Sequence, residues 1–565
     1  MRQGPRHTKI MTVKTEDLER LLDVSALITS TLDLEDVLTQ VLKNAGDLMQ
    51  AEASNVMLLD AATGELVYEV ALGTAKACIQ ELKNLKVGVG IAGWVAQHRK
   101  PLLVKDAYKD PRFFPDFDKK TGFRTKSILC LPLFARDELI GVAEIINKND
   151  GTSFTLADQA LFTRFCHIAA IAIDNALLQR RAIEQDRLKR DMEIAEQIQR
   201  ASLPSDIPSI KNLRVECRSL ACRYVAGDVI DITRLPDERL AVLVADVSGK
   251  GVPAALFGAR FSADFEHLAR ANPEGGALMA RLNAMVSRRS KRGIFITAVY
   301  AVIDPATGTV DLVNAGHLTP VIVGPRAGGL RLAATPGYPP LGVEDAQDYR
   351  SARLKLAPGE RIIFMTDGVS DAKAPGGGRL GDKQVRKILS ACPGLAVPRL
   401  MNAVSRFTAG QVLADDITVV GVGYGDYEER TFTSQTKALA SAREFVKAIA
   451  LAHGFDDRRT GSILLALTEA VTNIIKHTYR MSPIGKVRIG VGWCGGQLSI
   501  HIRDWGPRQD PGRFVSRDLA KVCPGGLGIH YMRQVMDVVE FDDSIWDGNE
   551  VHMLVRGKGS KKICR

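Results

Sequence analysis

A chain of 565 residues, 45% hydrophobic and 25% charged, is too long for one hydrophobic core and too apolar for a disordered one, so three or four globular domains are expected. The net charge of +10 raises nucleic acid as a partner, but the basic residues are spread along the chain without a Lys/Arg tract interleaved with aromatics. We therefore read the charge as solvated surface and expect no direct nucleic-acid contact. No run reaches the ~18–20 uninterrupted apolar residues of a membrane span; the longest candidate, Ile168 to Leu178, is cut by Asp174 and Asn175. The N-terminal Arg2, Arg6, His7 and Lys9 precede no apolar segment of the kind a signal peptide needs. Nine cysteines, with no CxxC and Cys217 and Cys222 as the nearest pair, suit a reducing compartment. The expectation is a cytoplasmic protein without a membrane partner.

In chain order, the first block (residues 16–178) opens with an amphipathic helix, Leu21 to Met49, broken at Asp33. Strand-like runs follow at Ser54 to Asp60, Leu66 to Ala71, Ser127 to Phe134 and Leu139 to Asn147, and a helix from Leu156 to Leu178 closes the block. This order predicts an α+β sheet with its helices on one face. Residues 179–205 are charged, and Leu188, Met192, Ala195 and Ile198 form an imperfect apolar seam. They predict a marginal helical linker or a weak two-stranded coiled coil, ended by Pro204 and Pro208. The block 206–425 alternates short β-branched runs with Gly/Asp turns, interrupted by one helical stretch from Pro253 to Ser287. In the last block, 430–560, helices Ala438 to His453 and Gly461 to Thr478 precede strands Val487 to Trp493 and Gln497 to Asp504. A Gly-rich loop, a helix from Gly528 to Met536 and two final strands complete it.

Four acidic clusters in the 206–425 block sit at strand ends: Gly227-Asp228 with Asp231, Asp246-Val247-Ser248-Gly249, Thr366-Asp367-Gly368, and Asp415-Asp416. A strand ending in Asp-Gly sets its carboxylate at a sheet edge, with glycine allowing the turn behind it. Converging, such carboxylates would hold two hard divalent cations and so support phosphoryl hydrolysis by an activated water. Any single Asp-Gly is ordinarily a turn. The order of the four, together with Gly251-Val252-Pro253-Ala254-Ala255-Leu256, Phe295-Ile296-Thr297-Ala298, Asn314-Ala315-Gly316-His317, Pro340-Leu341-Gly342-Val343 and Leu356-Ala357-Pro358-Gly359-Glu360, resembles the bacterial sporulation and stress-response branch of the protein phosphatase 2C family. The resemblance implies an α/β/β/α sandwich and Asp228, Asp246, Asp367 and Asp415 as ligands of two Mn²⁺ or Mg²⁺. Asp246 would bridge the ions, the Val247 carbonyl would add a ligand, and Asp231 and Asp416 are further candidates. It also implies a phosphoserine or phosphothreonine substrate, often an antagonist protein controlling a sigma factor. Ala226 and Val229-Ile230 depart from the family pattern without removing a ligand. His317 is expected to be a turn residue rather than an acid.

In Leu467-Thr468-Glu469-Ala470-Val471-Thr472-Asn473, Glu469 and Asn473 lie four apart and share a helix face among apolar residues, where unpaired polar groups are costly. Ile502-Arg503-Asp504-Trp505-Gly506-Pro507 ends a strand, and Gly525-Gly526-Leu527-Gly528 opens a helix whose free N–H groups suit phosphate. The three elements in this order resemble the GHKL ATPases of anti-sigma-factor serine kinases, a two-layer α/β sandwich. That likeness implies ATP with Mg²⁺ on Asn473, Glu469 as general base, Asp504 and Gly506 at the adenine, and Gly526 and Gly528 near the phosphates. Arg508 stands where a small residue is usual.

Val87-Gly88-Val89-Gly90-Ile91-Ala92-Gly93-Trp94-Val95, Ser127-Ile128-Leu129-Cys130-Leu131-Pro132-Leu133 and Ile140-Gly141-Val142-Ala143-Glu144 resemble a GAF domain, a sheet cupping a small ligand. Asn147-Lys148, Phe154 and Asp158 are similar to the motif of cyclic-nucleotide-binding members, although Gln159 replaces its final Glu; equally, these residues brace the sheet. The expectation is a GAF-controlled phosphatase, homodimeric through its linker, acting on a phosphorylated anti-sigma-factor antagonist. The C-terminal domain would be a serine kinase, or instead a non-catalytic nucleotide and sigma-factor binding module on a regulatory scaffold. A sensor histidine kinase is disfavoured because residues 179–203 contain no histidine.

Overall fold

The computed structural model describes residues 33–557 apart from 73–83, 116–117, 120–121, 203–206, 223–224, 291–292, 327, 392, 510–527, 543 and 546. Residues 16–32 of the first helix, Leu203 and Pro204 of the linker, 558–560 of the last block, and Gly525, Gly526 and Leu527 lie outside the described residues. The chain forms two compact bodies, Met1–Arg190 and Asp191–Arg565.

In the first body, α1 (Leu34–Met49) starts where the Asp33 carboxylate accepts the N–H groups of Glu35 and Asp36, an N-cap that explains the break expected there. Strands β1 (Ala51–Asp60), β2 (Glu65–Leu72), β3 (Leu85–Lys86), β4 (Leu102–Val104), β5 (Ile128–Ala135) and β6 (Glu138–Lys148) form an antiparallel sheet in the order β3-β2-β1-β6-β5-β4. Alternation sends Val56, Leu58, Leu129, Leu131 and Ile145 against α1 and the start of α3 (Leu156–Ser202). Met57, Cys130 and Val142 point the other way, against α2 (Gly90–His98). Helices therefore cover both faces rather than the one expected, because the alternate positions are apolar as well.

The segment expected as two helices, 156–178 and a separate linker, is one 47-residue helix. No Gly or Pro interrupts it, so the composition shift near residue 179 changes what covers the helix and leaves its backbone alone. By length and composition this helix could cross a membrane, yet Phe162, Phe165, Ala169, Ala170 and Ile173 are fully buried against the sheet.

The second body holds two domains. One stacks sheet β14-β11-β10-β9-β8 on sheet β13-β12-β15-β16-β7, where β7 is Leu213–Leu220, β8 Asp228–Arg234, β9 Leu240–Val247, β10 Ile296–Ile303, β11 Thr309–Ala315, β12 Val321–Val323, β13 Leu330–Leu332, β14 Ala352–Lys355, β15 Arg361–Met365 and β16 Ile417–Tyr424. Ile230, Val242, Val244, Phe364 and Val420 pack between the sheets. Helices α4 (Val252–Ala271) and α5 (Gly275–Arg289), split at Pro273, cover the first sheet. After α6 (Gly368–Asp371), α7 (Asp382–Ala391) and α8 (Ala396–Thr408) cover the second. The one helical stretch that the pattern predicts here is joined by α7 and α8, whose apolar stripes (Val385, Leu389; Leu400, Val404) lie among turn-rich segments that mask their period. The architecture is α/β/β/α.

Only Gly425 separates β16 from β17 (Asp426–Thr433), which begins the last domain. Its sheet, β17-β18-β19-β21-β20, uses β18 (Lys486–Cys494), β19 (Gln497–Asp504), β20 (Val538–Asp542) and β21 (Asn549–Arg556). Helices α9 (Ala438–Ala452), α10 (Asp457–Asn473) and α11 (Gly528–Val535) cover one face through Ile463, Leu467, Ile489, Ile500 and Val551. The helix expected to reach Thr478 ends at Asn473 and passes into a π turn, Ile474–Thr478, a feature that recurs at functional sites. The other face packs against the two-sheet domain, where Arg218 of β7 reaches Asp542 of β20.

Candidate active sites

Asp228 shares strand parity with Ile230, and Asp246 with Val244, so both carboxylates point between the sheets at one end of the sandwich. The two residues are directly paired across β8 and β9. The turn after β15 brings Asp367 to the same end, and the turn before β16 brings Asp415 and Asp416. The Thr366 hydroxyl stitches the two sheets, donating to Asp228 Oδ2 at 2.9 Å while accepting from the N–H of Thr418 at 3.0 Å. A Cβ on Gly368 would lie 1.9 Å from the Asp416 carbonyl, so only glycine permits the approach of these turns.

Burial pushes Asp246 up to about 7, helped by the charges of Asp367, Asp415 and Asp416. Burial likewise raises Asp228 well above the usual range and raises Asp367. Lys250 Nζ meets this acidic cluster, 2.7 Å from Asp415 Oδ2. Oxygen-only donors held together against their own repulsion fit hard divalent cations. Asp228, Asp246, Asp367 and Asp415 would hold them, with the Val247 carbonyl beside Gly227 at the same end.

The two further candidates sit differently. Alternation turns Asp231 away from Asp228 and toward Glu266 and Arg270 of α4; it accepts from the Thr233 hydroxyl at 2.6 Å, and burial pushes it up to about 6. Asp416 is occupied by the backbone: its oxygens accept the N–H groups of Cys222 at 2.8 Å and Gly227 at 2.6 Å. Its geometry is that of a brace for the loop carrying Asp228. His317 closes a turn with Asn314, its Nδ1 lies 2.8 Å from the Thr297 hydroxyl, and burial lowers it to about 4.

A contact that sequence reading did not find joins the long helix to this site. The Gln199 amide accepts from Ala226 N at 2.7 Å and donates to Ala226 O at 2.6 Å, one residue before Gly227-Asp228. A glutamine in a charged helix carries no signal by itself; the bidentate pairing exists only once the helix end meets the loop. Gln199→Ala, which loses two bonds of about 1 kcal/mol each, is expected to raise the half-saturating Mn²⁺ concentration for phosphatase activity about tenfold and to lower the melting temperature by a few degrees. A metal titration of the rate checks this.

In the last domain a cavity of about 560 Å³, within the ordinary range for small-molecule sites, is lined by Glu469, Asn473, Asp504 and Gly528, and also by Lys476 and Asn549. Four-residue spacing puts Glu469 and Asn473 on its wall. A Cβ on Gly528 would lie 2.5 Å from Glu469 Oε2, so glycine lets α11 start against that carboxylate. Asp504 Oδ1 accepts from Gly506 N at 3.0 Å and Asn549 Nδ2 at 2.9 Å, and burial pushes the carboxyl up to about 6. Lys476 and Asn549 were missed because the π turn and a distant strand bring them in. Gly526 is outside the described residues.

In the first body the motif residues brace the fold. Lys148 Nζ meets Asp158 at 2.9 Å, Phe154 is buried in the core, and Asn147 accepts from Lys126 N at 2.7 Å and donates to Glu52 at 2.7 Å. On the sheet face opposite α1 and α3, Glu144 is buried beside Cys130 and accepts from Asn55 at 3.0 Å.

Family models match three stretches: a GAF domain over residues 33–173, Stage II sporulation protein E (SpoIIE) over 236–424, and a histidine kinase-like ATPase domain over 432–555. The chain carries these domains in that order. Among curated proteins it is 32% identical over 182 residues to a cGMP-specific 3',5'-cyclic phosphodiesterase of Drosophila sechellia and 32% identical over 167 residues to the probable 3',5'-cyclic phosphodiesterase pde-5 of Caenorhabditis elegans. Those matches cover 30% and 28% of this chain, and the chain spans only 15% and 23% of those relatives. Among solved structures, the RsbU and RsbW domains of a Mycobacterium tuberculosis protein align at 18% identity and a TM-score of 0.36, covering 64% of this chain and 96% of that one. The SiaA-PP2C domain of Pseudomonas aeruginosa aligns at 19% identity and a TM-score of 0.37, covering 43% and 99%.

Proposed function

We propose that this chain is a signal-controlled, metal-dependent protein-serine/threonine phosphatase with an ATP-binding serine kinase domain on the same polypeptide. The observation that carries it is the meeting of Asp228, Asp246, Asp367 and Asp415 at one end of a sandwich of which residues 236–424, holding all of these but Asp228, match the SpoIIE model. Bound there, a pair of divalent cations would supply an activated water and neutralise the phosphoryl charge. The protein's own part is to hold the four carboxylates against their repulsion, with Asp416 and Thr366 fixing the loops that carry them. The substrate we assign is a phosphoserine on an anti-sigma-factor antagonist, in keeping with the SpoIIE match.

In the ATPase domain Asp504 would accept the adenine amino group, Asn473 would hold the Mg²⁺ of ATP, and Glu469 would take the proton of the attacking serine hydroxyl. Because the ionised Asp504 accepts that bond more strongly than the neutral acid, adenine-nucleotide affinity should fall several-fold between pH 7.5 and 5.5, through its raised pKa of about 6. Calorimetric titration at both pH values checks this, and Asp504→Asn should flatten the dependence. The same raised pKa makes the empty domain lose stability, not gain it, as pH rises through about 6.

Leu188, Met192, Ala195 and Ile198, at three- and four-residue spacing on the long helix, favour a homodimer. That helix would carry the state of the GAF domain, which binds a small ligand, toward Ala226. The deciding experiment uses a purified antagonist. Mn²⁺-dependent release of phosphate from its phosphoserine form establishes the phosphatase. Transfer of label from ATP that is lost in Glu469→Ala establishes the kinase, whereas nucleotide binding without transfer makes that domain a partner-binding module.

A further inference from the structure

Two domains of opposite activity on one chain need not communicate, but here they are joined by buried charge. Strand β7 turns Leu213 and Cys217 into the sandwich core and Arg214, Glu216 and Arg218 outward onto the bare face of the ATPase sheet. Arg218, 1% exposed, donates to Asp542 of β20 at 2.5 Å and to Glu550 of β21 at 2.9 Å. Arg214 and Arg361 close on Glu216, both at 2.6 Å, and Arg214 lies 3.4 Å from His552. Arg399 of α8 holds Glu540 of β20 at 2.5 Å.

Each end of this network reaches a site. On the ATPase side, Glu550 follows Asn549, whose amide donates to Asp504 at 2.9 Å and whose Oδ1 accepts from Gln509 N at 2.7 Å. One β21 residue thus holds the loop bordering the nucleotide cavity, and the next reaches across to Arg218. On the phosphatase side β7 pairs with β16 as far as Leu220 opposite Ile417, and Cys222 just beyond gives its N–H to Asp416, which also holds Gly227. The four steps of chain from Arg218 to Cys222, the first two in β7, span at most ~13 Å.

We propose, on the footing of the function assigned above, that the ATPase domain is also a nucleotide sensor for the phosphatase in cis: a nucleotide in the Asp504 cavity steadies β21 and, through Glu550 and Arg218, the Cys222–Asp416 brace of the carboxylate centre. Ordering already achieved by one ligand need not be repeated for the other, so the coupling is positive and must be reciprocal.

The test uses the full chain. ADP binding and Mn²⁺-dependent p-nitrophenyl phosphate hydrolysis are first measured separately, which checks the underlying functional reading. The rate is then titrated against buffered free Mn²⁺, with and without saturating ADP. The half-saturating Mn²⁺ should drop at least about threefold with ADP, and the ADP dissociation constant measured with Mn²⁺ should rise by the same factor in Asp246→Ala, which keeps the cation held with the nucleotide at Asn473. Asn473→Ala should abolish the ADP effect, which excludes ADP acting at the phosphatase centre itself. Glu550→Gln, which keeps Asp542 on Arg218 and so keeps the fold, should bring the ratio close to one. Both activities present with a wild-type ratio of one overturns the coupling and leaves the functional reading standing; a ratio kept in Glu550→Gln overturns the proposed route. Loss of either basal activity overturns both.

Discussion

Asp246→Ala should lower Mn²⁺-dependent hydrolysis of p-nitrophenyl phosphate by at least about a thousandfold, equivalent to roughly 4 kcal/mol of transition-state stabilisation. Asp246 stands directly across from Asp228, is pushed up to about 7 by burial and then by neighbouring carboxylates, and lies nearest in charge to Asp367 and Asp415. The neighbouring carboxylates that help raise it are charges that bound divalent cations would neutralise. Asp367→Ala should be similarly inactive. Asp231→Ala should retain the rate within a few-fold, since Asp231 faces Thr233 and α4. Calorimetric Mn²⁺ titration separates the cases: Asp246→Ala should lose at least one binding event and Asp231→Ala none. Full activity in Asp246→Ala would remove the two-metal reading.

Arg218→Met should cost about 3–5 kcal/mol of stability, because it strands two carboxylates in a buried interface. Burial alone would raise Asp542, yet Arg218 outweighs it and holds that carboxyl well below the usual range; burial is likewise outweighed at Arg218, which Asp542 and Glu550 keep firmly protonated. A depressed carboxylate contributes stability above its ordinary value of 3.8 that is lost as pH falls below it, so the wild type should be acid-labile at this interface. In Arg218→Met that dependence should reverse, since the stranded acids are better tolerated when protonated. Adding Asp542→Asn to Arg218→Met should restore part of the loss. Denaturant unfolding at pH 3, 5 and 7.5 reads all three, and an Arg218→Met loss under about 1 kcal/mol at pH 7.5 would show that the interface does not depend on the ion pair.

Much of the site was legible because its chemistry is local. Asp-Gly and Asp-Asp at strand ends, Glu469 and Asn473 four apart, and the Asp504–Gly506 turn are short patterns whose spacing follows from strand and helix geometry, and the three domain resemblances rested on them. What the strand patterns left open was direction. Asp231 and Asp416 carry the same residue type as the other acids, yet parity sends Asp231 to α4 and the Cys222 and Gly227 amides claim Asp416.

By itself, the sequence determined the order of the three domains, the alternating strands that make the sheets, and the residue types able to hold cations and nucleotide, because each depends on neighbours within a turn or a strand. Tertiary structure alone decided that the linker is one helix with the last helix of the GAF domain, that Gln199 grips Ala226, and that Arg218 pairs with Asp542 and Glu550 more than three hundred residues away. Those contacts join surfaces whose residues are ordinary charged or amide side chains in any local window. Their meaning arises only when packing removes the water between them.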